Sequence, residues 1–319
     1  MKFAIAGAGA IGAYIGAKMA RAGLDVTLFA RGPHCRAMHD HGVRVESLDG
    51  NFEARPRVVD SLDTTGPVDA VFLGVKAHSL PELAPRLRPL FHDSTSVVSM
   101  QNGIPWWYFT GAERLESVDP GGVVSAAIEG RRVMGSIVYL STEIVQPGVI
   151  RHTEGNRITI GEPDGERSER ARAIAAALVE AGLRAPVSTH IRQELWVKLL
   201  GNIAFNPISA LTGATLVTMA RDAEVSKLVR GIMAETEAVA HKLGIEMPII
   251  IDQRIAGAEK VGEHKTSMLQ DLEAGRPLEL DAIVGAALEL GDRLGVGMPH
   301  ARAVYACAKL LDRQRRCAK

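Results

Sequence analysis

Phe3-Ala4-Ile5-Ala6-Gly7-Ala8-Gly9-Ala10-Ile11-Gly12 is the stretch that decides the fold of the N-terminal part of this chain. Its first four residues are apolar and predict a short buried strand. Three glycines follow within six residues, and the apolar residues after them recur at helical spacing. Gly23 suits the C-terminal cap of that helix. The predicted order is therefore a strand, a glycine-rich turn and a helix.

The glycines at positions 7, 9 and 12 form a GxGxxG pattern, which is weak alone and gains meaning between a strand and a helix. The first glycine permits the tight turn, the second lets the backbone approach a pyrophosphate, and the third allows close helix packing. The free N–H groups at the helix start would face the anion. A glycine-rich turn without a ligand is the alternative. The predicted dinucleotide-binding residues are Gly7, Ala8, Gly9, Ala10, Ile11 and Gly12.

The end of the second predicted strand, residues 25–30, indicates which dinucleotide would bind. An NAD site usually has Asp or Glu there to bond the ribose hydroxyls. This chain has Ala30 followed by Arg31. A carboxylate would repel the 2′-phosphate of NADPH, whereas a guanidinium can bind it. The sequence therefore favours NADPH, with Arg31 as a cofactor-binding residue; a solvated surface role for Arg31 is the alternative.

Short apolar runs alternate with helical segments in the first third of the chain, which is typical of parallel strands flanked by helices. Residues 70–75 and 95–100 are two further predicted strands. Extended segments are predicted at 133–139 and at 148–160, the second as a hairpin that turns near Gly155-Asn156. An Ala-rich helix is predicted at 168–182.

From Ile191 onward the pattern is almost entirely helical. Breaks in this pattern are predicted at Gly244, Pro248, Gly275-Arg276-Pro277 and Gly295 to Pro299. We therefore predict an α/β Rossmann-type dinucleotide-binding domain, residues 1–190, followed by an all-α C-terminal domain, residues 191–319. The second domain would carry the substrate-binding and catalytic groups.

Two polar residues, Lys76 and Asn102, follow predicted strands directly. The carboxyl ends of parallel strands form the edge where open sheets bind ligands. Surface Lys and turn Asn are common residues, so either alone would carry little weight. Their matched placement favours a role at the cofactor for both.

A polar stripe marks the first helix of the predicted second domain. Lys198, Asn202 and Asn206 are spaced by four residues, so they share a helix face that drifts by about 40° per step. Their neighbours are largely apolar, and a buried cation or amide requires a partner. The pattern therefore predicts a polar site on this helix, with one exposed Lys and two helix-end Asn residues as the alternative.

Composition and charge exclude several classes of protein. Among the 319 residues, Lys plus Arg and Asp plus Glu both number 37, so no basic excess indicates binding to nucleic acid or to an anionic membrane. The cysteines form no CxxC pattern and no Cys/His cluster, which indicates a reducing compartment and no zinc site; they are Cys35, Cys307 and Cys317. Without a signal-peptide pattern or a long apolar run, we expect a cytoplasmic protein.

These residues together resemble the ketopantoate reductase (2-dehydropantoate 2-reductase) family along nearly the whole chain. The generic part of the resemblance is the glycine motif. Its specific parts are Glu194-Leu195-Trp196-Val197-Lys198 with Asn202 and Asn206-Pro207, Ser267-Met268-Leu269-Gln270-Asp271, and Glu279-Leu280-Asp281. The resemblance implies NADPH-dependent reduction of 2-dehydropantoate, a small 2-oxo acid, to pantoate in pantothenate biosynthesis.

The resemblance also implies roles for individual residues. Lys198 would be the general acid, Asn202 and Asn206 would orient the substrate, and Ser267 would bond the substrate carboxylate. Lys76 and Asn102 would line the cofactor, and Glu279 would lie near its nicotinamide end. No metal is implied, and a homodimer is an assembly that the sequence leaves open.

This chain departs from the family pattern in two places. Leu216 and His264 align where some members have Asn. The stretch between Asn102 and Gly135 is longer than usual, and it contains Trp106-Trp107-Tyr108-Phe109. These aromatic residues could form a lid, a dimer surface or ordinary packing against the sheet. Two alternative functions therefore remain: a reductase of a different 2-oxo acid or ketone on the same scaffold, and an NADPH-binding sensor without turnover.

Overall fold

The computed structural model describes residues 1–109 and 111–317. Residues 318 and 319 of the predicted second domain, and the side chain of Cys317, lie outside the described part. The chain divides into two compact units. Unit 1 contains Met1–Gln101 and Gly121–Ile191, and unit 2 contains Asn102–Pro120 and Arg192–Lys319. The division differs from the predicted continuous domain 1–190, because residues 102–120 belong with the helices of unit 2.

Unit 1 is built on a nine-stranded sheet with the order β4-β3-β9-β8-β7-β6-β1-β2-β5. The strands are β1 (Lys2–Ala6), β2 (Asp25–Phe29), β3 (Val43–Ser47), β4 (Phe52–Ala54), β5 (Arg57–Val59), β6 (Ala70–Leu73), β7 (Ser96–Ser99), β8 (Val133–Gln146) and β9 (Val149–Gly161). Six neighbouring strands of this sheet, β8-β7-β6-β1-β2-β5, run parallel to one another. This confirms the parallel pattern predicted for the first third of the chain. The pairs β8–β9 and β3–β4 are antiparallel, so the sheet as a whole is mixed.

The helices of unit 1 are α1 (Ala10–Arg21), α2 (Gly32–His41), α3 (Leu80–Leu83), α4 (Val123–Ala127) and α5 (Glu169–Glu180). Helix α1 lies on the centre of the sheet, with residues such as Tyr14 and Ile15 fully buried in the core. It approaches closely because Gly16 has no side chain to separate the helix from Leu28 on β2. Helix α5 begins where the Ser168 hydroxyl accepts a hydrogen bond from the Ala171 N–H.

The second extended segment differs from the hairpin predicted at Gly155-Asn156. Strand β9 continues through these residues, and the chain reverses between β8 and β9 at Pro147-Gly148. Gly155 has a φ of +74° and lies opposite an irregular register between Tyr139 and Ser141. A β-bulge uses the same backbone freedom as a turn, which is why this glycine predicts a turn from sequence.

All regular structure in the described part of unit 2 is helical. The helices are α6 (Ile191–Thr212), α7 (Leu216–Arg221), α8 (Ala223–Lys242), α9 (Ile251–Val261), α10 (Ser267–Glu273), α11 (Ala286–Leu294) and α12 (Pro299–Cys317). The predicted breaks at Gly244 and Pro248, at Gly275-Arg276-Pro277 and at Gly295 to Pro299 fall between these helices, with Pro299 as the first residue of α12, whereas the breaks after α6, α7 and α9 were not predicted. A π-helical turn, Asp281–Gly285, precedes α11. None of the helices in the described part of the chain is long and apolar enough to span a membrane.

Residues 102–109, called here the aromatic segment, join unit 2 through backbone and side-chain contacts. The Ile104 N–H donates to the Ala282 carbonyl at 2.9 Å. Gly103, with a φ of +84°, lies so close to the π-helical turn that any side chain would collide with its backbone. The Trp196 indole on α6 donates to the Tyr108 hydroxyl at 2.8 Å, and the two rings meet edge to face. Trp107 and Tyr108 therefore pack inside unit 2, where the Arg192 guanidinium also lies over both rings, and Trp106 is likewise buried.

We predict that Tyr108→Phe destabilises the protein by about 1–3 kcal/mol, because the buried Trp196 N–H loses its acceptor. Thermal and urea unfolding of the full chain would measure the change. The same substitution in a Trp196→Phe background should cost less, since the donor is then already absent. An equal cost in both backgrounds would show that this hydrogen bond does not hold the aromatic segment.

Candidate active site

The glycine-rich turn between β1 and α1 is set by close backbone contacts. Gly7 has a φ of +107°, and a Cβ atom there would lie 2.7 Å from the Val75 amide nitrogen. The Ala8 N–H donates to the Phe29 carbonyl at 2.7 Å and joins the turn to the end of β2. At Gly12, a Cβ atom would lie 2.8 Å from Ile5 Cγ2 and would collide with the Gly7 carbonyl. The first and third glycines of the motif are therefore required by packing.

Gly9 has a different environment. A Cβ atom at this position would meet no atom within 4 Å, so packing does not explain the glycine. Gly9 is the N-cap of α1, and no side chain caps the helix there. The N–H groups of Ala10, Ile11 and Gly12 follow in the first turn of the helix. In that turn no carbonyl of the helix itself accepts their hydrogen bonds. Open space beside free N–H groups fits the approach of a phosphate group.

A cavity of about 190 Å³ opens beside this turn. Its lining residues come from the turn, the end of β2, α2 and the segment after β6, and they include Gly7, Ala8, Gly9, Phe29, Ala30, Arg31, His34, Ser79, Glu82 and Arg86. Burial lowers the pKa of His34 below its ordinary value and so favours the uncharged imidazole. The donors and the shape of this cavity fit the adenosine and phosphate end of a dinucleotide.

The charges in this cavity are arranged as a cluster. The Arg31 guanidinium donates to the Glu82 carboxylate at 2.9 Å, and both side chains are more than 60% exposed, at 62% and 66%. A second guanidinium, Arg86, lies 5.5 Å from the centre of the Phe29 ring. A bound 2′-phosphate would therefore compete with Glu82 for Arg31 and would gain a further cation in Arg86.

Lys76 lies directly beyond β6, as predicted, and its side chain is partly exposed. Gln101, at the end of β7, donates through its amide to the carbonyls of Leu73 and Val75, each at 2.8 Å. This amide fixes the ends of two parallel strands beside the glycine turn. No sequence pattern indicated this role of Gln101.

In unit 2, three predicted residues form one hydrogen-bonded chain. The Lys198 ammonium donates to Asn102 Oδ1 at 2.8 Å. The Asn102 amide donates in turn to Glu279 Oε2 at 3.4 Å, a long and weak hydrogen bond. Glu279 is 9% exposed, so its carboxylate is held inside the protein. Helix α6, the aromatic segment and the residues before the π-helical turn each supply one member of the chain.

The protonation of Lys198 is tuned by this environment. The pKa of Lys198 is lowered from 10.5 to about 8. Burial is the largest cause, the Glu279 carboxylate acts in the opposite direction, and the Arg254 guanidinium adds a smaller lowering effect. Lys198 is therefore mainly charged at pH 7 but gives up its proton far more readily than an ordinary lysine. A group of this kind is suited to act as a general acid near neutral pH.

Asn202 and Asn206 continue the polar face of α6 as predicted. Asn206 is only 4% exposed, and its Nδ2 has no hydrogen-bond partner within the described residues. A buried amide N–H without a partner is costly, which makes Asn206 a suitable donor to a bound ligand. Ser267 starts α10 with an exposed side chain, and the structure does not bring it into the hydrogen-bonded chain of Lys198.

Leu216 and His264, which align where some family members have Asn, lie next to each other. The Leu216 N–H donates to the His264 carbonyl at 3.0 Å, and both side chains are partly buried. The start of α7 therefore meets the segment before α10 at this point. In the described part of the chain, no group of three or more His, Cys, Asp or Glu side chains could hold a metal ion.

Sequence reasoning did not identify Glu82, Arg86 or Arg254 as parts of these sites. None of them belongs to a spaced motif, and each enters through packing of an element distant in sequence. Gly74 is a further unrecognised residue, since a Cβ there would lie 3.4 Å from the Gly7 carbonyl carbon. The only available signal for Gly74 was its position at the end of a predicted strand.

An acid–base chain on a helical unit and a Rossmann-type dinucleotide-binding unit together define an oxidoreductase that acts on a C=O or CH–OH group. Family comparison agrees with this class. Residues 3–165 match the model of the family described as ketopantoate reductase PanE/ApbA, and residues 190–312 match the model of its C-terminal part. The chain belongs to the ketopantoate reductase family. The family and the fold support a nicotinamide dinucleotide as the cofactor.

Individual relatives match along the whole chain. A 2-dehydropantoate 2-reductase of Mesorhizobium japonicum is 49% identical over 325 residues, which cover 99% of this chain and 99% of that protein. A solved structure from Ralstonia solanacearum MolK2 that carries a ketopantoate reductase assignment is 37% identical, with a TM-score of 0.93 and 98% of both chains covered. A D-mandelate dehydrogenase solved with NADH and anilino(oxo)acetate, 23% identical over 99% of both chains with a TM-score of 0.86, shares the fold.

Two alanine substitutions should separate binding from packing in the glycine motif. Gly9→Ala should leave the melting temperature unchanged, because its Cβ meets no atom within 4 Å, while dinucleotide affinity falls by on the order of tenfold. Gly12→Ala should instead destabilise the protein by about 1–3 kcal/mol through overpacking. Thermal unfolding and fluorescence titration with reduced dinucleotide would measure both effects. Normal dinucleotide affinity in Gly9→Ala would contradict a phosphate at this turn.

Proposed function

We propose that this protein reduces 2-dehydropantoate to pantoate with NADPH, a step of pantothenate biosynthesis. The observation that carries the proposal is the hydrogen-bonded chain of Lys198, Asn102 and Glu279, which holds a cation of lowered pKa against the side-chain amide of Asn102. The 49% identity to a 2-dehydropantoate 2-reductase supports the same substrate.

In this reaction Lys198 acts on the ketone oxygen. Its ammonium polarises the ketone, stabilises the negative charge that develops on the oxygen, and transfers a proton to that oxygen. When bound, the reduced nicotinamide supplies the hydride that the carbonyl carbon accepts. One hydride and one proton convert the ketone to a secondary alcohol, so the atoms and charges balance.

Asn102 and Glu279 position the acid and maintain its charge. The Asn102 carbonyl oxygen orients the ammonium, and the Asn102 amide joins it to Glu279. The Glu279 carboxylate favours the charged form of Lys198 and opposes the effect of burial. Asn202 and Asn206 then orient the substrate from the same helix face, with Asn206 Nδ2 as the buried donor.

The absence of an acidic residue after β2 supports NADPH rather than NADH. Ala30 leaves room for the 2′-phosphate, and Arg31 and Arg86 supply positive charge in the same cavity. Glu82 opposes this preference until a phosphate replaces it at Arg31. A sensor without turnover would bind the dinucleotide in the same way but would gain nothing from a lysine poised to release a proton near pH 8.

The direct test is NADPH oxidation by the purified protein with 2-dehydropantoate beside a panel of other 2-oxo acids. A clear preference for 2-dehydropantoate is the expected result. Turnover restricted to another keto acid would reject the named substrate and retain the reaction class. NADPH binding without turnover of any ketone would favour the sensor.

The rate of reduction should fall as the pH rises through about 8, since Lys198 must be protonated to act as the acid and its pKa lies near 8. An ordinary lysine would sustain the rate to about pH 10. The pH profile of kcat/KM with the keto acid would measure the inflection. Lys198→Ala should remove it and lower kcat by a factor on the order of 10² to 10⁴.

A matched pair of substitutions would assign the inflection to Lys198. Glu279→Gln removes the charge that raises the pKa of Lys198, so the fall in rate should move to lower pH. Glu224→Gln removes an exposed carboxylate on α8 that pairs with Lys227, and the profile should not change. If the inflection stays at the same pH in Glu279→Gln, it belongs to a titrating group other than Lys198.

Arg31→Ala should weaken NADPH binding by roughly 10- to 100-fold and leave NADH binding nearly unchanged, because only NADPH carries the phosphate that the guanidinium would bind. Glu82→Gln should shift the preference in the opposite direction, since Arg31 then has no competing carboxylate. Dissociation constants of both dinucleotides, measured by fluorescence titration, would give the ratio. An equal loss for NADPH and NADH in Arg31→Ala would reject this role.

A further inference from the structure

Arg254 of α9 lies directly on the backbone of α6 at Gly201. A Cβ atom at Gly201 would lie 2.6 Å from Arg254 Nε and 2.7 Å from Cζ, and it would also collide with Nη2. The guanidinium therefore occupies the space that a side chain at position 201 would fill. Gly201 is buried, and Arg254 is partly buried on the same side of α9 as Ile255 and Ala258.

This position is next to the acid. Gly201 follows Lys198 by three residues, so the two are neighbours on the helix surface. Asn202, the next residue along, belongs to the polar face that Lys198 begins. The contact with Gly201 therefore puts the Arg254 guanidinium about one helical turn from Lys198 along α6. The charge of Arg254 disfavours the charged form of Lys198, which agrees with this placement.

A 2-oxo acid carries its anionic group on the carbon next to the ketone. When the ketone oxygen meets Lys198, the carboxylate is therefore held within the same small region. A guanidinium is the side chain best matched to a carboxylate, because its planar fork can donate two parallel hydrogen bonds. We propose that Arg254 binds the carboxylate of the 2-oxo acid substrate, the group for which the family resemblance implies Ser267, while Lys198 holds the ketone oxygen. This inference rests on the proposed reductase function.

The glycine at position 201 is part of the same device. A larger residue there would displace the guanidinium from the helix, whereas glycine lets it lie flat against the backbone. The carboxylate group thus becomes the feature that distinguishes a 2-oxo acid from a neutral ketone of similar shape. Arg254 is a substrate-binding residue in this account, and Lys198 remains the acid.

The experiment compares 2-dehydropantoate with its neutral lactone, which keeps the ketone and lacks the carboxylate. At pH 7, Arg254→Gln should raise KM for the acid by roughly 10- to 100-fold, with kcat within a few-fold and KM for the lactone unchanged. Lys198 is already protonated at this pH, so a change in its pKa would not alter kcat. Arg254→Lys should restore part of the loss.

Two further variants control for structure. Gly201→Ala should displace the guanidinium and raise KM for the acid in the same direction, with normal NADPH affinity. Arg230→Gln removes an exposed guanidinium on α8 that pairs with Asp252, and it should leave all constants unchanged. Equal losses for acid and lactone in Arg254→Gln, or no loss for either, would overturn the proposal. Melting temperatures would identify a variant that fails to fold.

A binding measurement separates this inference from the proposed function. Calorimetry with oxamate, a 2-oxo acid mimic, and with neutral oxamide would be run on wild type and Arg254→Gln in the presence of oxidised cofactor. Oxamate binding that depends on Arg254, with no turnover of any 2-oxo acid, keeps the inference and rejects the function. Normal turnover that Arg254→Gln leaves unchanged rejects the inference and keeps the proposed function. Neither binding nor turnover in wild type would reject both.

Discussion

The Lys198 ammonium is the group on which the organisation of unit 2 depends. It lies on a helix whose buried positions are mostly apolar, and water does not solvate it fully. A cation in that position must be bonded and partly neutralised. Asn102 provides the bond and Glu279 the negative charge, and each reaches α6 from a distant part of the sequence. The constraint therefore fixes the path of the aromatic segment and of the residues before α11.

In unit 1 the backbone, rather than a side chain, forms the candidate dinucleotide site. Gly7 and Gly12 are needed for the turn to close, and this closure leaves Gly9 beside open space and free N–H groups. Two opposite charges near this turn already form an ion pair with each other. Arg31 is paired with Glu82, so the cation that would bind a 2′-phosphate has a carboxylate as competitor. In the proposed NADPH site, cofactor preference would depend on the difference between two ion pairs rather than on one residue.

The sequence predicted the parallel strands around the glycine turn and three of the breaks between helices of unit 2, because hydrophobic period and Gly or Pro breaks are local properties. The turn at Gly155-Asn156 was wrong, since a bulge and a hairpin place the same demand on a glycine. Strands β3, β4 and β5 were missed because they are short and all three lie at or next to an edge of the sheet. The predicted continuous first domain included the aromatic segment, which the structure groups with unit 2, where the partner of Tyr108 is Trp196 on α6, 88 residues away.

The sequence by itself determined the glycine turn, the missing acid after β2 and the polar face of α6, since each is encoded by residues within one element. Only the tertiary structure joined Lys198 to Asn102 and Glu279, which lie 96 and 177 residues apart along the linked pairs. It alone paired Arg31 with Glu82 and placed Arg254 on Gly201. Periodicity assigns a residue to a face of its own helix or strand. Which distant charge meets that face depends on packing, and packing sets the pKa of Lys198.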